Sequence, residues 1–304
     1  MYYEKPFIHP SIHPSIHPAG KFEAGPGFRV RYDKRYTTQA LNSQPDEKTK
    51  LDRSGGDKTL DSDAWYGNGA AFYSSGLYKE AIECLQRAVE IDHQYIEAWY
   101  LMGTALRRLC RYEDALPCLD MVIEMDPAHL GAWRNKGIAL NNLDQLQEAI
   151  ESIEKALEIC PDDPRSWIVK GYTLHNIGRY QEATECYDRA IEMAPLSRNA
   201  KRAWNNKGAA LDNLKRHDEA AECYDEAIVI DPFDIYAWNN KGVALGAQGR
   251  YEEAIDCFQK AANIDPHYTT SWQNKALALK ALDRDDEAEE ALEMAGDQER
   301  CISI

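Results

Sequence analysis

Amides and guanidinium groups recur at regular places in this chain. Asn205-Asn206, Asn239-Asn240 and Gln273-Asn274 each directly follow a tryptophan, as does Arg134-Asn135. An amide carries both a donor and an acceptor, so a row of them can satisfy the backbone of an extended peptide without reading its side chains. Arg107, Arg108, Asn142, Asn176 and Asn213 stand further along the same segments, and Arg165 and Arg202 stand two residues ahead of their tryptophans. Arginine forks match carboxylates, so these would select acidic ligands. Other chemistries lack their signatures: there is no glycine-rich phosphate loop or nucleophile elbow. His93, His129, His175, His217 and His267 fall at unrelated places, and the eight cysteines include no Cys-x-x-Cys pair for zinc. No catalytic residue, metal or other cofactor is expected.

The elements that position these residues follow from a ruler. Trp65, Trp99, Trp133, Trp167, Trp204, Trp238 and Trp272 are spaced by 34, 34, 34, 37, 34 and 34 residues. A period of this length marks stacked supersecondary units. Four residues after each tryptophan comes Gly69, Gly103, Gly137, Gly171, Gly208, Gly242 and then Ala276; seven after it comes Phe72 and then leucine from Leu106 to Leu279. Offsets of 0, 4 and 7 define one helix face. Sixteen residues after the tryptophan a second such face begins: Ala81, Ala115, Ala149, Ala183, Ala220, Ala254 and Ala288. Its next members are Leu85, Leu119, Ile153, Tyr187, Tyr224, Phe258 and Leu292, then Ala88, Val122, Ala156, Ala190, Ala227, Ala261 and Ala295. Gly76, Gly178 and Gly249 mark turns between the two helices, and Asp-Pro or a variant, such as Asp126-Pro127 or Asp231-Pro232, ends the second.

This helix–turn–helix pattern resembles the tetratricopeptide repeat family over about four fifths of the chain, with Trp204–Gly208 and Trp238–Gly242 reading Trp-Asn-Asn-Lys-Gly as in prokaryotic arrays of the family. The resemblance implies an all-α fold, a right-handed superhelical solenoid of seven units over residues 62–304, starting near 62, 96, 130, 164, 201, 235 and 269. One departure recurs: Lys136, Lys170, Lys207, Lys241 and Lys275 stand where the family has leucine before the glycine. Such a lysine can lay its stem on apolar surface and keep its head in water.

Counting each tryptophan as repeat position 4, the first helix offers positions 2, 5, 6, 9, 12 and 13 on the face opposite the core. The family binds peptides on this concave face. Arg165 and Arg202 occupy position 2; Arg134, Asn205, Asn239 and Gln273 position 5; Asn135, Asn206, Asn240 and Asn274 position 6. Arg107, Asn141, His175 and Asp212 take position 12, and Arg108, Asn142, Asn176 and Asn213 position 13. The row resembles the asparagine ladders of superhelical arrays in the family; the plainer reading is that Asn is tolerated on a solvated helix face. The clamp by which chaperone-binding members hold a Glu-Glu-Val-Asp tail is lacking, since Arg134 is followed by Ile138 where that clamp needs asparagine.

The 304 residues carry a net charge of −16, unevenly placed. Residues 1–61 hold 10 Lys+Arg against 8 Asp+Glu, and the rest 25 against 43. So acidic a repeat region argues against nucleic acid and anionic membranes. No run approaches a membrane span, and the N-terminus lacks a basic-then-apolar leader, which points to a cytoplasmic location. Cys84, Cys118, Cys186, Cys223 and Cys257 share one repeat position, too far apart in stacked units for disulfides, and read as reduced packing thiols. Residues 1–61 read as a low-complexity arm and linker: Ile8–Pro18 sets His-Pro at four-residue intervals, which forbids a helix, and 42–61 is polar. Phe28–Leu41 reads as a short strand or helix.

Two irregularities stand out. Pro195 lies nine residues before Trp204 where six is the rule, as from Pro232 to Trp238. The three extra residues either start the helix one turn early or lengthen the loop. In the last repeat Glu289, Gly296 and Gln298 replace apolar residues, as expected of a soluble cap. The expected function is a non-catalytic scaffold that binds an extended, acidic segment of a protein partner; the alternative is a self-assembling homo-oligomer.

Overall fold

The computed structural model describes residues 61–301, with side chains to residue 296. The His-Pro tract, Phe28–Leu41, residues 42–60 and the side chain of Gln298 lie outside the described residues. The described chain is helical and divides into two units at residues 161 and 162. The first holds α1 (Ser62–Ser74), α2 (Tyr78–Ile91), α3 (Ile96–Arg108), α4 (Tyr112–Met125), α5 (Leu130–Asn142) and α6 (Leu146–Ile159). The second holds α7 (Pro164–Asn176), α8 (Tyr180–Met193), α9 (Arg198–Asn213), α10 (His217–Ile230), α11 (Ile235–Ala247), α12 (Tyr251–Ile264), α13 (Thr269–Lys280) and α14 (Asp285–Cys301). Each odd-numbered helix is the A helix of a repeat and the next is its B helix.

Local chemistry sets the ends of these helices. Asp61, which the sequence pattern assigns to the linker, caps α1 by accepting the Ala64 amide at 2.9 Å. Asp163, Ser197 and Asp234 cap α7, α9 and α11 in the same way. Helix B stops at Asp-Pro because the Asp carboxylate turns back on the chain: Asp126 accepts from Ala128 N–H at 3.1 Å, and Asp231 from Phe233 N–H at 3.2 Å. The tryptophan spacing has a related cause. The indole N–H donates to the carbonyl six residues earlier, from Trp133 to Pro127 at 2.9 Å and from Trp238 to Pro232 at 3.0 Å. The insertion removes that geometry for Trp204. Its three residues extend the helix, so α9 begins at Arg198 and runs for 16 residues.

The core is a periodic seam between A and B helices. The seven alanines from Ala81 to Ala288 are fully buried, as are Leu85, Leu119, Ile153, Tyr187, Tyr224 and Phe258. Burying one such large side chain stabilises by roughly 1.5–3 kcal/mol. The glycine of helix A makes room for it: a Cβ on Gly208 would lie 2.7 Å from the Tyr224 ring, and one on Gly242 2.6 Å from Phe258. The seventh repeat departs from expectation. Leu292, expected on the buried face, is 42% exposed, while Ala291, at the position of Cys223 and Cys257, is buried as they are. Ala276 already fills the space that glycine leaves elsewhere, and no described helix follows α14 to cover the leucine.

Candidate functional site

The sequence places its candidate residues on the A helices, and the structure sorts them into three groups. The first is buried and bonded across repeats. Asn274 Nδ2 donates to Asn239 Oδ1 at 3.0 Å, Asn239 Nδ2 to Asn240 Oδ1 at 3.4 Å, and Asn240 Nδ2 to Asn205 Oδ1 at 3.3 Å. In the other unit Asn135 Nδ2 donates to Thr104 Oγ1 at 3.1 Å and to the Tyr100 hydroxyl at 3.4 Å. A rule emerges: the amide at position 6 reaches the polar group at position 5 of the preceding repeat. Asn206 breaks it because Ile168 stands at position 5 before it, and the Asn206 Oδ1 is buried without a hydrogen-bond partner. Of the amide row expected on a solvated face, Asn135, Asn205, Asn206, Asn239, Asn240 and Asn274 are buried between repeats, none more than 6% exposed, and Gln273 of the last repeat alone among them is exposed. Helix A packs against the next helix A as well as against its own B helix, which buries Asn205, Asn239 and Asn240.

The second group is half-buried. Asn142 and Asn213 donate to the carbonyls of Ile138 and Ala209, each four residues earlier, and Asn176 bonds Tyr172. Asp212, counted from the sequence as an acid of this face, is buried; it accepts from the Tyr224 hydroxyl and pairs with His217 Nδ1, both at 2.9 Å. Burial raises its pKa despite those bonds. His175, at the equivalent position, is buried edge-on to Tyr180, and burial lowers its pKa to about 4.

The third group is the arginines. Arg108 and Arg165 are exposed and Arg202 half-buried, while Arg107 and Arg134 are each 7% exposed. The Arg107 Nε is buried without a hydrogen-bond partner, and loss of solvent and the neighbouring Arg108 both lower its pKa. No described acid lies within ion-pair distance of Arg107 or Arg108. Outer-face arginines behave otherwise: Arg111, Arg216, Arg250 and Arg284, each preceding a B helix, hold the acid three residues on at 2.6 Å. Arg107 and Arg108 thus form an uncompensated cationic spot in an acidic repeat region.

The remaining letters of Trp-Asn-Asn-Lys-Gly are structural too. Lys207 Nζ lies 5.2 Å from the centroid of the Trp204 ring and 2.6 Å from Asp188 on the preceding B helix; Lys136 does the same with Trp133 and Asp120. The heads expected in water are paired instead. Beside Lys207 a cleft of about 350 Å³ opens between α8, α9 and α10, but Lys207 and Arg216 are already paired there. Its one thiol, Cys223, is pushed up to about 12 by burial and is unreactive. Among the described residues no group of His, Cys, Asp and Glu is placed to hold a metal, and no helix is long and apolar enough to cross a membrane.

Comparison with known proteins agrees with this architecture. Family profiles described as "Tetratricopeptide repeat" match residues 102–170, 164–195, 202–234 and 235–268, and one described as "TPR repeat" matches 69–109. The chain belongs to the tetratricopeptide repeat family and is a protein-interaction scaffold of that class. No curated protein matches the sequence. Among solved structures, MamA 41-end from Desulfovibrio magneticus RS-1 is 25% identical, with a TM-score of 0.51 over 58% of this chain and 97% of its own. A tetratricopeptide repeat protein from Parabacteroides merdae ATCC 43184 is 15% identical, with a TM-score of 0.63 over 78% of this chain and 93% of its own. The APC/C hetero-tetramer Cut9-Hcn1 aligns at 16% identity and a TM-score of 0.64 over 72% of this chain and 43% of its own. The last two share the fold alone.

Proposed function

We propose that the A-helix face binds an extended protein segment bearing acidic side chains. The observation that carries this is the Arg107–Arg108 pair. A guanidinium withdrawn from water without a counter-charge gains more from an arriving carboxylate than a solvated one does, because its desolvation has already occurred in folding. Arg134 lies on the next A helix of the same unit. Arg165 and Arg202 place two further cations on A helices of the second unit. Asn135 contributes indirectly: its bonds to Thr104 and Tyr100 join α3 to α5 and so fix the spacing of Arg107 and Arg134.

Fluorescence anisotropy with a labelled, extended Glu-rich peptide and its Gln counterpart tests this reading. The Glu peptide is expected to bind more tightly, and to weaken as salt rises. Arg107→Gln with Arg108→Gln should abolish the preference without loss of fold, since the change removes a buried, unpaired charge. Equal binding of the two peptides by the native chain would refute the proposal.

A further inference from the structure

The most exposed apolar side chains fall in two successive inter-repeat turns and at the end of α10. Leu196, Val229 and Phe233 are 84%, 70% and 77% exposed, more than any other large hydrophobic residue described. Each departs from what the other repeats carry at the same position. Leu196 and Phe233 are the third residues after the ends of α8 and α10, where other repeats have Gln94, Ala128, Asp162 and His267. Val229 stands where Glu90, Glu124, Glu158 and Glu192 stand. In three of those repeats the glutamate pairs with a base three residues earlier: Arg87–Glu90 and Lys155–Glu158 at 2.7 Å, and Arg189–Glu192 at 3.6 Å. In the fifth repeat that pair has become Glu226 and Val229. A charge pair is lost and an apolar side chain stands in the open.

The same place carries the three-residue insertion, which ties the patch together. Lys201, directly after the added turn of α9, holds Asp231 at 2.9 Å and Asp234 at 2.7 Å, so the turn bearing Phe233 is fixed to the helix that follows Leu196. Arg198 is exposed beside it and acts on the Asp231 carboxyl. Patches of exposed apolar surface on a soluble protein mark interaction sites.

We infer that this face binds a second copy of the chain. The charges around the patch favour that occupant. Arg198 lies two residues after Leu196 and Glu226 three before Val229, and neither has an ion-pair partner among the described residues. A two-fold contact brings each surface against itself, so that Arg198 of each chain meets Glu226 of the other while the apolar residues meet between them. A purely acidic segment would satisfy Arg198 and face Glu226; a basic one would do the reverse. An anionic membrane is repelled by the acidic repeats. With three apolar side chains per copy the contact lies at the small end of specific interfaces, and the dimer is a weak one.

Sedimentation velocity of the full chain over a wide concentration range reads this directly. The average mass should climb from one chain toward two. Leu196→Asp with Phe233→Asp should raise the dimer dissociation constant at least about tenfold, the scale for losing central apolar contacts. Arg198→Glu alone should weaken the dimer, and Arg198→Glu with Glu226→Arg should restore it. All these side chains are exposed, so helix content by circular dichroism should not change. A chain that stays monomeric throughout, or a dimer indifferent to the apolar double substitution, would overturn the inference. Failure of the charge reversal to restore affinity would overturn the two-fold pairing that selects this occupant.

Discussion

Asn240 donates its side-chain amide to Asn205, 35 residues earlier, at 3.3 Å, and neither side chain reaches water. The bond links two A helices that share no loop. A buried donor or acceptor left without a partner costs about 1–3 kcal/mol. Asn240→Ala should therefore destabilise the chain by about that much, since it strips partners from both Asn205 and Asn239. Asn206→Ala should cost distinctly less, because its oxygen is already unsatisfied opposite Ile168. Urea unfolding of the two variants side by side measures the difference; equal losses would show that the ladder is not the stabilising feature.

The glycines separate into two kinds. Gly242 lies under the Phe258 ring, where an added Cβ would sit at 2.6 Å, whereas nothing lies within 4 Å of a Cβ on Gly67. Gly242→Ala should destabilise by about 1–3 kcal/mol, since the ring and α12 must move. Gly67→Ala, on the exposed side of α1, should stabilise by about 0.5–1 kcal/mol through a less flexible unfolded chain. Thermal melts of both variants should shift in opposite directions.

The fold was legible because each repeat letter answers one packing demand, and seven copies average out local exceptions. Trp, Gly and the helix-B alanines announce their roles by spacing alone. The candidate site was legible only in part. Asn205 and Asn239 occupy positions that a single amphipathic helix would show to solvent, and nothing in one helix reveals that the next A helix covers them. Ladder and solvated row have the same sequence signature; Ile168, an apolar residue within the polar row, was the available clue. The patch at Leu196, Val229 and Phe233 was readable by comparing repeats for what is unlike rather than alike. Leu292 was misjudged for the opposite reason, since its period is right but Ala276 stands where the other A helices leave room with glycine.

The turns between helices A and B offer another measurement. Gly76, Gly178 and Gly249 take left-handed φ values of 76°, 87° and 79°, and the same turn in the other repeats is made by Cys110, Asp144, Lys215 and Asp283 at 56–63°. A residue with a Cβ pays about 1–2 kcal/mol for this conformation, less for Asp, whose short polar side chain tolerates it. Lys215→Gly should gain about 0.5–1 kcal/mol after the entropy of glycine is set against the relief. Asp144→Gly should change stability little. Chemical denaturation gives both values, and a loss in the Lys215 variant would mean that its side chain holds the turn in some other way.

Acid should unfold the second unit partly through His175. Burial among apolar atoms, edge-on to Tyr180, lowers its pKa from 6.5 to about 4, so the folded chain holds the ring neutral. A depressed folded-state pKa contributes stability that is complete above the unfolded value and drains away as pH falls. The window therefore runs from about pH 6.5 down to about pH 4, and the loss across it approaches about 3 kcal/mol. Asn141 stands at the equivalent position of the third repeat, so Asn fits this environment and does not titrate. His175→Asn should leave stability at neutral pH within about 1 kcal/mol of the native chain, the usual scale of a single substitution. It should also flatten the acid limb of the stability–pH curve between those limits. Carboxylates such as Asp231, whose pKa is lowered chiefly by its hydrogen bond to Lys201, act at lower pH, where their own unfolded values lie. Urea midpoints taken at steps through the window separate the two contributions. An unchanged slope in the Asn variant would show that His175 takes up its proton in the folded chain without opening it.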